Sequence, residues 1–128
     1  MGITAYWHDD TKTIMRLDYI DAWTLDEFYE SAKQAHFMIG EVTHSVDLII
    51  NMRDNRTTPA KILSSARHMN ELVQPNQRLT IMVGSPPFVK ALIKVANQIM
   101  PKITEKLRYV NTLDEAFAII QRQDSKVK

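Results

Sequence analysis

The residues best equipped for chemistry gather around one joint of the chain. Asp54, Arg56, Thr57 and Thr58 lie within RDNRTT, and Ser85 follows a second apolar run further on. Hydroxyls of this kind can cap a helix, accept a phosphate or attack as nucleophiles. The last role needs a general base within hydrogen-bond reach. Asp54 and Ser85 look like part of a hydrolytic set, but no histidine has a spacing that places it beside them. A small hydrolase therefore stands as an alternative only if a distant histidine folds in. The residue set favours holding a partner over transforming one.

The other reactive side chains are equally unassembled. His8, His36, His44 and His68 form no H-E-x-x-H pair and no close ligand spacing, so neither a metal site nor a cofactor is implied. Glycine occurs only at Gly2, Gly40 and Gly84, which leaves no phosphate-binding loop. Sixteen basic residues against fifteen acidic ones give a net charge of +1, which argues against a broadly basic nucleic-acid binder. The absence of cysteine excludes disulfides, thiol nucleophiles and sulfur-ligated zinc, and favours a reducing, cytoplasmic compartment. The opening MGITAYWHDD lacks a basic region followed by an apolar core. No apolar stretch approaches the ~20 residues needed to cross a bilayer.

The elements that must position these residues follow from periodicity. Residues 3–8 and 13–20 read as two strands joined by the turn-forming DDTKT. Thr24 and Glu27 make a T-x-x-E capping box, flanked by Trp23 and Phe28 in staple positions. Leu25, Phe28, Tyr29, Ala32, His36 and Ile39 then share a helical face, with Gly40 as the stop. DLIINM, 47–52, suits a central parallel strand covered on both faces. Thr58 is the natural N-cap of a second helix opening at Pro59. Residues 78–83 form a strand, Ser85 and Pro86 open a third helix, 107–110 is a short strand, and Thr112 with Glu115 caps a last helix. Residues 124–128 are expected to fray. The result is one α/β domain over 1–128, core about 3–123, in the order β-β-α-β-α-β-α-β-α. It has a mostly parallel five-stranded sheet, one antiparallel strand and covering helices.

This order, with a strand ending just before a Ser/Thr pair at a helix start, resembles the STAS domain, the anti-sigma-factor-antagonist fold. More narrowly it looks like the STAS-like proteins of the sporulation-antagonist type, some of which are compared with the lipid-binding CRAL-TRIO fold. In switching members a D-S-S-G-type sequence follows the third strand, and a partner kinase phosphorylates one serine. Thr57 and Thr58 would lie over that serine pair and Pro59 over the glycine, with the acid displaced to Asp54. The resemblance implies a regulatory module that binds a protein partner, such as an anti-sigma-type kinase, around Asp54, Arg56, Thr57, Thr58 and Ser85. The threonine pair would be its regulatory site. A helix N-terminus favours added negative charge, and Arg53 and Arg56 are near in sequence.

One surface suggests a different occupant. In the third helix Val89, Ile93 and Met100 lie outside a core stripe of Phe88, Leu92, Val95, Ala96, Ile99 and Ile103, so the apolar arc is wider than one sheet contact needs. That arc suits a second copy of the chain, or a lipid held between helix and sheet.

Overall fold

The computed structural model describes residues 2–55, 74–84, 94 and 106–127. The second helix expected from Pro59, and the third expected from Pro86 apart from the helical Lys94, lie outside the described residues.

The chain opens with β1 (Ile3–Trp7) and β2 (Ile14–Asp21), paired antiparallel from Ile3 opposite Tyr19 to Trp7 opposite Met15. The turn chemistry of DDTKT is realised by side chains. Asp9 accepts from the Thr11 amide at 3.0 Å, and Lys12 occupies the left-handed region with φ 54°. A His44 ring nitrogen contacts the Lys12 carbonyl at 2.8 Å and ties this turn to the loop before the third strand.

Helix α1 (Leu25–Gly40) starts as its sequence requires. The Glu27 amide donates to Thr24 Oγ1 at 3.1 Å, and the Thr24 amide donates back to Glu27 at 3.2 Å. The rings of Trp23 and Phe28 lie 5.8 Å apart across this entry, and Trp23 meets Tyr19 edge-on at 5.0 Å. Gly40 ends the helix differently from expectation. It has no positive φ, and the cap residue Glu41 is right-handed. What glycine permits there is close approach, because an added Cβ would lie 2.6 Å from Gln74 Nε2. Just past this end Asn76 Nδ2 sits among three carbonyls, 3.0 Å from that of Ile39, 3.2 Å from Val42 and 3.0 Å from His44, and ties the exit of the helix to the start of the next strand.

Three more strands follow: β3 (Val46–Asn55), β4 (Gln77–Val83) and β5 (Leu107–Val110). All pair in parallel, in the sheet order β1-β2-β3-β4-β5. Helix α2 (Leu113–Val127) closes the described chain, with the Glu115 amide donating to Thr112 at 3.2 Å.

The apolar run of β3 is buried on both faces, as a central parallel strand should be. Val46, Leu48 and Met52 join Met15, Leu17, Tyr19, Ala35 and Ile39 in the core beneath α1. Ile49 joins Leu79, Ile81, Val83, Ala116 and Ile120 in a second core beneath α2. The two described helices therefore lie on opposite faces of the sheet.

Two boundaries differ from the sequence expectation by more than one residue. β3 continues past Met52 to Asn55, because β2 pairs with it as far as Asp21 opposite Asn55. α2 continues through 124–127, where fraying is expected from composition. Arg78 accounts for the second difference, since its Nη2 reaches Asp124 Oδ1 at 2.7 Å and pins the last turns of α2 to β4.

Candidate functional site

In an open α/β sheet the carboxyl ends of the parallel strands form the usual ligand edge. Here that edge is uneven, and β3 makes it so. Pairing with β4 ends at Asn51 opposite Val83, while pairing with β2 runs on to Asn55. Between Asp18 and Ile20 the register with β2 shifts, with one extra residue on β3. Residues 52–55 thus project beyond the β4 pairing.

Asn51 organises the projection. It is buried, at 6% exposure, and its Oδ1 accepts from both the backbone amide and the Nε of Arg53, each at 3.2 Å. One side chain therefore fixes the backbone after the shift and the root of the guanidinium. Arg53 and Asp54 are exposed. Gly84, just past β4, makes room for this arrangement. Its φ of +67° suits glycine, and an added Cβ would lie 2.5 Å from Arg53 Cγ and 3.1 Å from its Cα. The Gly84 amide donates to the Val110 carbonyl at 2.9 Å, which holds this corner to β5.

A guanidinium held by Nε can still turn its outer fork to a carboxylate or phosphate, the geometry in which arginine excels. A carboxylate such as that of Asp54 accepts from basic donors. Exposed groups of both signs thus stand side by side at this edge. The three described histidines are engaged elsewhere: His8 against the Phe117 ring at 4.8 Å, His36 with Gln74 Nε2 at 3.3 Å, and His44 on Lys12.

A second polar cluster sits on the sheet face opposite α1. Tyr6 and Arg16 are cross-strand partners, and the Tyr6 hydroxyl donates to Asp18 Oδ2. Arg16 Nη2 donates to Asp18 Oδ1 at 3.3 Å, and its guanidinium carbon lies 5.3 Å from the Tyr6 ring centre. Burial, then the hydrogen bond to Asp18, pushes the Tyr6 phenol up to about 12, so it remains a neutral donor.

Of the residues singled out from sequence, Asp54 stands on the projecting end of β3. Arg56, Thr57, Thr58, Ser85, Val89, Ile93 and Met100 lie outside the described residues. In the sequence Arg53 stands out only as a neighbour of the threonines. The signal that could have found it is the spacing N-x-R after an apolar strand, where an asparagine can reach the amide two residues on.

Among the described residues no group of histidine, aspartate and glutamate could hold a metal ion, and no helix is long and apolar enough to cross a membrane. No family model matches the chain, and no curated protein matches it. The structure itself defines an α/β protein with a mixed five-stranded sheet, one antiparallel pair and the rest parallel.

Proposed function

We propose that this protein is a non-enzymatic, STAS-like regulatory module that docks a protein partner on the carboxyl edge of its sheet. The observation that carries this reading is the projecting end of β3, where Asn51 brackets Arg53 beside the exposed Asp54. The antiparallel opening strand and the parallel succession that follows agree with the STAS-like order of elements. The groups at this edge are arranged to pair with charge.

The threonine pair deepens the reading. Thr57 and Thr58 follow Asn55 directly after Arg56. A phosphate on either would bring a charge of roughly −1.5 to −2 within a few residues of Arg53. It would compete for the guanidinium fork that otherwise meets the partner. Phosphorylation by an anti-sigma-type kinase thereby becomes an off-switch for docking.

The test has two arms. Incubation with an anti-sigma-type kinase encoded beside the gene should add one phosphate by intact mass, lost in Thr57→Ala or Thr58→Ala. Partner retention should fall in Arg53→Ala. No phosphate gain removes the switch, and unchanged retention removes the docking edge.

A further inference from the structure

The sheet has two edges, and they are guarded differently. At one end, β5 carries Arg108 and is preceded by Lys106, both exposed, the kind of charge that keeps an edge from pairing. At the other end β1, ITAYW, has no charge, no proline and no register shift. The Gly2 carbonyl accepts from the Ile20 amide at 2.7 Å, and the His8 amide donates to the Ile14 carbonyl at 2.9 Å. With the register unbroken between them, Gly2, Thr4, Tyr6 and His8 turn their backbone groups toward β2. Ile3, Ala5 and Trp7 turn theirs outward, and among the described residues nothing pairs with them.

We infer that β1 is a self-pairing edge: two copies of this chain join β1 to β1 in antiparallel fashion about a two-fold axis through Ala5, giving one continuous sheet. The register follows from the outward groups. With the axis at Ala5, the two Ala5 residues exchange hydrogen bonds, and Ile3 of each copy does so with Trp7 of the other. Three outward N–H and three outward C=O groups per chain thus make six bonds between two chains, with none left over. An axis at Thr4 or Tyr6 would set Trp7 or Ile3 opposite a residue outside β1.

The side chains suit the same register. Ile3, Ala5 and Trp7 belong to the core beneath α1, so Ile3 against Trp7 of the second copy extends that core as an aliphatic–aromatic pair. Thr4 meets Tyr6 on the other face. The small Ala5 sits at the axis, and no like charges oppose. A second copy is the occupant because the strand is complementary to itself in the one register that uses every free group. This edge is separate from the docking edge at the end of β3.

The experiment uses the full chain. Sedimentation velocity at high micromolar concentration should give twice the chain mass. Ala5→Pro removes an N–H that points away from β2, so it should sediment as a monomer with an unchanged far-ultraviolet dichroism spectrum. The chain has no cysteine. Ala5→Cys should therefore form a disulfide-linked dimer on mild oxidation, since residues paired in this way have Cα atoms about 5.5 Å apart. Phe37→Cys, on the exposed side of α1, should stay unlinked. A wild-type monomer, or a dimer that survives Ala5→Pro, overturns the inference. So does failure of Ala5→Cys to link, or equal linking of Phe37→Cys. If Ala5→Pro does not fold, the cysteine pair decides alone.

Discussion

Asp47 and Arg78 meet across the register shift between β3 and β4. Asp47 Oδ1 accepts from Arg78 Nε at 2.9 Å and Oδ2 from Nη2 at 2.6 Å, while the Leu79 amide donates to Oδ1 at 3.0 Å. The Asp47 side chain is only 3% exposed and that of Arg78 20%. Val46 pairs with Gln77 but Leu48 with Thr80, so the extra residue on β4 is accommodated where the carboxylate reaches both Arg78 and Leu79.

The two carboxylates on Arg78, Asp47 and Asp124, should respond unequally to substitution. Asp47→Asn removes the fork's charged acceptor at a buried position, and a loss of about 3 kcal/mol is expected. Asp124→Asn, at a carboxylate 57% exposed, should cost no more than about 1 kcal/mol. Urea midpoints at constant slope measure both. Equal costs would mean that the shift is not held by Asp47.

Gly84→Ala combines a left-handed backbone with a collision against Arg53, and a loss of about 1–3 kcal/mol is expected. Gly40→Ala meets only the end of the Gln74 side chain, at a residue with ordinary φ, so it should cost less. Thermal midpoints of the two variants compare them directly. The reverse order would contradict the corner described for Gly84 and Arg53.

Tyr6 sets an alkaline limit. Its folded phenol lies at about 12, above the ordinary 10. Its contribution is therefore complete below pH 10 and lost as pH rises toward 12. The difference in stability between wild type and Tyr6→Phe should shrink across that window. In spectrophotometric titration, Asp18→Asn should bring the Tyr6 phenol only part of the way back toward 10, since burial is the larger cause. A difference flat through that window would count against the burial of Tyr6.

Glu27 acts at the acid end. The Gly2 amide, with the amide and hydroxyl of Thr24, holds its carboxyl below the ordinary 4.5. The stabilisation is present above pH 4.5 and disappears as pH falls through the lower folded value. Glu27→Gln should flatten that part of the acid-denaturation curve. An unchanged curve would separate Gly2 from the capping box.

Local signals were legible in the sequence, and long-range ones were not. The Thr24–Glu27 box and the Trp23–Phe28 staple depend on residues within one turn, so spacing alone revealed them. The two-faced burial of 47–52 was equally readable from its isoleucines. Arg53–Asp54–Asn55 read as a joint because polarity hides strand character. Their strand state comes from pairing with Ile20 and Asp21, more than thirty residues earlier in the chain. The final turns of α2 read as frayed because the partner of Asp124 is Arg78 on β4. Asp47 passed as the first residue of an apolar run, since its partner is 31 residues away.

Docking at the projecting end of β3 is tested most directly by affinity capture from the source cells with two baits, wild type and the double variant Arg53→Ala, Asp54→Ala. Both baits should fold alike, because the substituted side chains are exposed. The expected result is a protein retained by wild type and lost by the variant. Retention of the same proteins by both baits would contradict a partner seated on this edge.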